Sequence, residues 1–242
     1  MAAAIETQRR IANRERLIFA LDVPDLKGAK DLVARLGDSV VFYKIGLELA
    51  TSRHYFELLD WLLAQDKKVF ADLKLYDIPA TVMAAVRQLA RSGATYLTVN
   101  GDRGVAEAAA QAKGEHLKIL AVTALTSVAQ ADLADSGITL TVEELVLKRA
   151  RQALACGCDG VIASGLEAAP LRATLPPTAL IVTPGIRPAD GGSTQDQRRV
   201  VTPTLAFRSG ADHIVVGRPI RDAADPYRAA SAIQEEIAGV FG

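Results

Sequence analysis

The chain has 242 residues, half of them apolar, and its 28 basic and 28 acidic side chains leave a formal net charge of zero. That is enough apolar surface for a sizeable core, and the charge balance argues against general nucleic-acid or membrane-surface binding while allowing a small anionic ligand held by local positive charge. The N-terminal stretch MAAAIETQRRIANRERL has no apolar core of signal-peptide length and no run is long enough to span a bilayer, so a soluble, cytoplasmic protein is expected.

In chain order, eight β-rich apolar runs stand out: LIFALDV (17–23), VVFYKIGLEL (40–49), KVFADLKL (68–75), TYLTVNG (95–101), LKILAVTALTS (117–127), GVIASG (160–165), ALIVTPGI (179–186) and HIVVGRPI (213–220). Between them lie segments with helical apolar spacing, such as HYFELLDWLLAQ and TVEELVLKRARQALA, the second also offering Glu-to-Lys pairs at helical spacing. Strand alternating with helix predicts a parallel sheet with right-handed crossovers, and near-continuous apolar strands predict burial on both faces. Eight such units fit a closed (β/α)8 TIM barrel; an open doubly wound sheet is the alternative. With no linker, repeat or low-complexity stretch, residues 1–242 read as one catalytic barrel domain. The only cysteines, Cys156 and Cys158, are too close for an ordinary structural disulfide and lack the company of a zinc site, so they read as small residues at a helix end.

The polar residues fall at the strand ends. Asp22 ends strand 1, Lys44 lies late in strand 2, Asp72 and Lys74 end strand 3, and Thr126 and Ser127 end strand 5. Each has an ordinary explanation: Asp22 or Thr126–Ser127 as helix caps, Lys44 snorkelling from the mouth, Asp72 with Lys74 as a structural ion pair. Together they are harder to explain, because a fold built for stability alone buries fewer charges, whereas the C-terminal mouth of a barrel is where active sites sit. Residues i and i+2 on a strand point the same way, so Asp72 and Lys74 are expected to share a face; Asp77 lies beyond the strand.

Strand 7 leads into TPGIRPADGGSTQDQRRV and strand 8 into VVGRPI, the loops that bind phosphate in many barrels. Gly217 lets backbone N–H groups approach an anion, and Arg187 and Arg218 offer forked donors. The polar segment 187–199 reads as a lid over the ligand or as a surface loop.

The segment DLKLYDIPAT resembles the D-x-K-x-x-D-I-x-x-T signature of the orotidine 5′-phosphate decarboxylase family, and FALDV, YKIGLEL, VTALTS, TPGIRP, DQRRV and VVGRPI follow in the family's order, as in its bacterial branch. The resemblance implies loss of carbon dioxide from orotidine 5′-phosphate to give uridine 5′-phosphate, the last step of de novo UMP synthesis, without any cofactor or metal. It implies that Lys74 protonates C6 of the pyrimidine, that Asp72 lies against the substrate carboxylate, and that Lys44 and Asp77 complete an alternating charge network. Asp22, Lys44 and Thr81 match ribose contacts, with Asp77 and Thr81 supplied by the partner in a homodimer. Thr126 and Ser127 match the pyrimidine contacts, and Arg187, Gln197, Gly217 and Arg218 the phosphate grip. Many relatives have histidine where Asn100 stands. The rival readings are a metal-dependent sugar-phosphate decarboxylase or hexulose-phosphate synthase of the same superfamily, which shares D-x-K-x-x-D, and a catalytically silent nucleotide-binding barrel.

Overall fold

The structure, a computed structural model, describes residues 11–188 and 200–242. Eight strands, β1 (Leu17–Ala20), β2 (Phe42–Ile45), β3 (Lys68–Leu75), β4 (Tyr96–Asn100), β5 (Lys118–Val122), β6 (Gly160–Ile162), β7 (Leu180–Thr183) and β8 (His213–Val216), pair in sequence order, and β8 closes on β1. Every pairing is parallel. Each apolar run in the sequence contains one of these strands, and closure excludes the open sheet. Except at β3, where run and strand coincide, the runs are longer than the strands, and those of β1, β5 and β8 continue into the mouth loops. Asp22 therefore stands two residues past β1, and Thr126 and Ser127 lie in the loop beyond Val122 rather than at the end of β5.

The helices form for local reasons. Helix Leu26–Leu36 buries Ala29, Leu32, Val33 and Leu36, one stripe at i, i+3, i+4, i+7 spacing, each large side chain worth about 1.5–3 kcal/mol of burial. Its cap is Asp25, whose Oδ1 accepts from Gly28 N at 2.7 Å, so Asp22 is released from capping. Helix Val142–Ala155 opens on a capping box: Thr141 Oγ1 accepts from Glu144 N at 3.2 Å and Glu144 Oε2 accepts from Thr141 N at 2.8 Å. Glu144 is thus used at the cap. The short helix Gln130–Asp135 follows Ala129, so neither Thr126 nor Ser127 caps it.

Two cores result. The larger lies between sheet and helices, and a smaller one fills the barrel with Ile18, Ala20, Phe42, Phe70, Tyr96, Leu120, Leu180, Val182 and Val215. At its floor the Phe42 and Tyr96 rings pack 5.1 Å apart. His213 is buried beside them, its Nε2 2.9 Å from the Tyr96 hydroxyl and its Nδ1 2.9 Å from the Glu15 carbonyl oxygen. A carbonyl only accepts, so Nδ1 carries the proton and Nε2 accepts from Tyr96. Burial pushes the His213 imidazole down to about 3, against the raising effect of the Glu15 hydrogen bond.

Strand alternation then positions the site. Two residues beyond Phe42, Phe70, Tyr96 and Ala20, toward the C-terminal mouth, come Lys44, Asp72, Thr98 and Asp22. The apolar plug ends where the charges begin.

Candidate active site

A cavity of about 290 Å³ opens at the mouth. Asp22, Lys44, Asp72, Lys74, Thr126, Arg187, Gly217 and Arg218 line it. The first four form one chain of opposite charges. Lys44 Nζ lies 3.1 Å from Asp22 Oδ1 and 3.3 Å from Asp72 Oδ2, and Lys74 Nζ lies 2.8 Å from Asp72 Oδ1. The centre of the array is buried and its ends are open: side-chain exposure is 12 % for Lys44 and Asp72, 35 % for Lys74 and 44 % for Asp22.

Burial opposes ionisation at both central residues, but their partners prevail. Desolvation would raise the Asp72 carboxyl, yet Lys44, Lys74 and the hydrogen bonds from Lys74 and Thr98 hold it below the ordinary carboxylate value. Desolvation would lower the Lys44 ammonium, yet Asp72 and Asp22 hold it above the ordinary lysine value. Both directions keep the pair ionised, and removing either partner would leave an uncompensated buried charge. Gly46 leaves room for Lys44 and Asp22. A Cβ there would stand 3.0 Å from Lys44 Nζ and 3.3 Å from Asp22 Oδ1.

The strand carrying Asp72 and Lys74 is not regular. The pairing Ala71 with Leu97 is followed by Leu75 with Val99, so four residues of β3 span two of β4. Within this bulge Lys74 has φ of 49°, a left-handed conformation for a residue with a Cβ, which costs of the order of 1–3 kcal/mol. Asp72 and Lys74 therefore do not meet by simple alternation along β3, as the sequence suggests; their side chains meet across a bulge. Thr98, which sequence reasoning missed, sits at the bulge. Its Oγ1 accepts from Lys74 N at 3.0 Å and donates to Asp72 Oδ1 at 2.8 Å. Nothing in TYLTVNG marks Thr98 as different from an ordinary strand threonine.

Arg221, also missed, lines the cavity, donating from Nη1 to the Asp22 carbonyl oxygen at 2.8 Å and from Nε to Asp222 Oδ1 at 2.7 Å. Its signal was the spacing of three from Arg218 on the one-turn helix Arg218–Arg221. On the β7–β8 side, Arg187 donates from Nη1 to the Ile186 carbonyl oxygen at 2.8 Å. Gln197 lies outside the described residues. The remaining wall is apolar, with Val122, Leu125, Ile162, Pro184 and Val215 beside Thr126. Ser127 is not part of it.

Asp77 and Thr81 do not line the cavity of their own chain. Both are exposed, and Asp77 Oδ1 accepts from Ile78 N at 2.6 Å. Tyr76 and Ile78, on either side of Asp77, are 67 % and 66 % exposed. Asn100 Oδ1 accepts from Asp102 N at 2.9 Å, shaping the start of the loop after β4. Among the described residues, no three His, Cys, Asp or Glu side chains come together as a metal-binding group, and no helix is long and apolar enough to cross a membrane.

The fold and the site define the class: an enzyme on a (β/α)8 barrel, with a charged, partly enclosed cavity at the C-terminal mouth. A family model described as orotidine 5′-phosphate decarboxylase / HUMPS family matches residues 15–233. Curated proteins named orotidine 5′-phosphate decarboxylase are similar over nearly the whole chain. That of Methylococcus capsulatus is 57 % identical, with 94 % of this chain and 93 % of the relative covered. That of Xanthomonas oryzae pv. oryzae is 53 % identical, with 96 % of each covered. Among solved structures, the orotidine 5′-phosphate decarboxylase of Lactobacillus acidophilus superposes with a TM-score of 0.81 at 35 % identity, covering 92 % of this chain and 99 % of the other. The chain belongs to the orotidine 5′-phosphate decarboxylase / HUMPS family, and it is a carboxy-lyase.

Proposed function

We propose that this chain converts orotidine 5′-phosphate to uridine 5′-phosphate and carbon dioxide, the last step of de novo UMP synthesis, in a single catalytic barrel and without metal or organic cofactor. The observation that carries the reading is the array Asp22–Lys44–Asp72–Lys74 on the β1–β3 side of a cavity that has Arg187, Gly217 and Arg218 on the β7–β8 side.

In this reading the phosphate lies against Arg187, Gln197, Gly217 and Arg218, the ribose against Asp22 and Lys44, and the pyrimidine against Thr126 and Ser127. The substrate carboxylate then faces Asp72. Two unit charges 4 Å apart at an effective dielectric of 20 repel by about 4 kcal/mol. As the bond from C6 to the carboxyl carbon breaks, its electron pair stays on C6 and neutral carbon dioxide leaves, so the repulsion fades. Attraction between the Lys74 ammonium and the growing negative charge on C6 rises over the same interval, and only such differential interactions accelerate the step. Lys74 Nζ then transfers a proton to C6. Asp77 and Thr81 reach a neighbouring cavity in a two-fold homodimer. The support is their absence from their own cavity wall and the exposed Tyr76 and Ile78 beside Asp77.

The metal-dependent sugar-phosphate reading meets a specific obstacle: the Lys44 ammonium already lies between Asp22 and Asp72, where a cation shared by those carboxylates would sit. The test is conversion of orotidine 5′-phosphate by exhaustively chelated protein. Undiminished turnover is expected. Activity that disappears and returns only with a divalent ion assigns the chain to the metal-dependent branch, and nucleotide binding without turnover assigns it to a silent barrel.

A further inference from the structure

Thr98 is fully buried on β4 and does not line the cavity, so it does not meet the substrate. Its single hydroxyl nevertheless joins two parts of the charge array. As acceptor it takes the Lys74 backbone N–H, and as donor it gives its proton to Asp72 Oδ1, the same oxygen that accepts from Lys74 Nζ. Bulged strands commonly re-aim side chains beside active sites, and a left-handed residue persists only where its surroundings over-determine it. Here Lys74 is the left-handed residue, β3 runs past β4 with extra residues, and no backbone partner on β4 is aligned with Lys74. Thr98 takes the Lys74 N–H in place of the sheet ladder.

The carrier of that hydroxyl is itself rigid. Thr98 is paired to Leu120 of β5, and its neighbours Leu97 and Val99 are buried in the outer core. A β-branched side chain in such a strand has few rotamers open to it.

We propose that Thr98 is a positioning residue for the decarboxylation: it locks the bulge of β3 so that the Lys74 ammonium and the Asp72 carboxylate are held in register at the reacting carbon. The inference rests on the reading of the site as an orotidine 5′-phosphate decarboxylase. It concerns orientation only; the phosphate and ribose contacts come from other strands. Misplacing a reacting group by about an ångström can cost on the order of a hundredfold in rate, so a defect confined to this lock should appear in kcat and spare KM.

The experiment compares wild-type protein with Thr98→Val, which keeps the shape and removes the hydroxyl, and Thr98→Ser, which keeps the hydroxyl. Rates are expressed per uridine 5′-phosphate-binding site, so that a misfolded fraction does not count as a catalytic defect. Thr98→Val should lose about tenfold to a hundredfold in kcat with KM within about threefold of wild type, and Thr98→Ser should stay within about threefold in both. Equal kcat in wild type and Thr98→Val overturns the proposal, as does a defect confined to KM or a serine variant as slow as the valine variant. Should Thr98→Val give no folded protein, Thr98→Ala is read by the same split, and failure of both to fold reduces Thr98 to a structural residue and also overturns the proposal. Wild-type protein that does not decarboxylate orotidine 5′-phosphate refutes the underlying reading instead.

Discussion

Lys74 Nζ lies 2.8 Å from Asp72 Oδ1 although the backbone between them has left regular strand geometry, with φ of 49° at Lys74. The contact is therefore made by a strained segment and not by simple alternation along a strand. Strain of this kind persists where a specific arrangement of groups is held for a task.

Lys74→Ala should lower kcat by at least about three decades, since it removes both a general acid and the cation that meets the developing charge. Asp72→Ala should be of the same order. Because the two residues act as a unit, the double variant should fall little below the worse single one. Multiplying rate losses in steady-state assays would show that they act independently.

Arg218→Ala should reduce kcat/KM by about one to two decades, the equivalent of roughly 1.5–3 kcal/mol for a charge-assisted contact. The motivation is its place in the cavity wall directly after Gly217. The control substrate is the nucleoside orotidine, which has no phosphate. Equal slowing of nucleotide and nucleoside would mean that Arg218 is not a phosphate ligand.

Two inactive variants, Lys74→Ala and Asp77→Ala, should complement each other if the site is shared across a two-fold axis. In a mixed dimer one site collects both lesions and the other neither. Random exchange makes half the dimers mixed, so recovery should approach roughly a quarter of wild-type activity. Mass-confirmed exchange with no recovery would place Asp77 in its own barrel, a position its exposed side chain does not suggest.

Acid stability should depend on His213. Its ring is held neutral with a pKa of about 3, against 6.5 for an unperturbed imidazole. Below pH 6.5 the unfolded chain takes up a proton that the native one refuses, so this residue's contribution to stability is lost as pH falls from 6.5 toward 3. The slope is up to about 1.4 kcal/mol per pH unit. His213→Gln is expected to be less stable than wild type at neutral pH, since the Tyr96 and Glu15 contacts are disturbed, but to lose less on acidification. Parallel urea midpoints for the two proteins from pH 7 to pH 4.5 would disprove the assignment.

The eight strands were legible in the sequence because strands buried on both faces are written as continuous apolar runs. The charged residues were legible for the complementary reason: Asp22, Lys44, Asp72 and Lys74 interrupt those runs where apolar side chains would be cheaper to bury. Local order decided these features, so one dimension was enough. Other features depend on neighbours far apart in the chain. That Lys44 is held between Asp22 and Asp72 follows from the pairing of β2 with both β1 and β3. The left-handed Lys74 follows from a mismatch in length between β3 and β4, which neither strand carries alone. Thr98 looks like any strand threonine until 24 and 26 residues of separation are closed by the sheet, and Arg221 meets the Asp22 carbonyl only because the barrel brings its last strand beside its first. By itself the sequence determined which side chains are present and which strand ends carry them, because periodicity and burial cost act locally. Only the tertiary structure decided which charge touches which, because barrel closure and strand register set those distances.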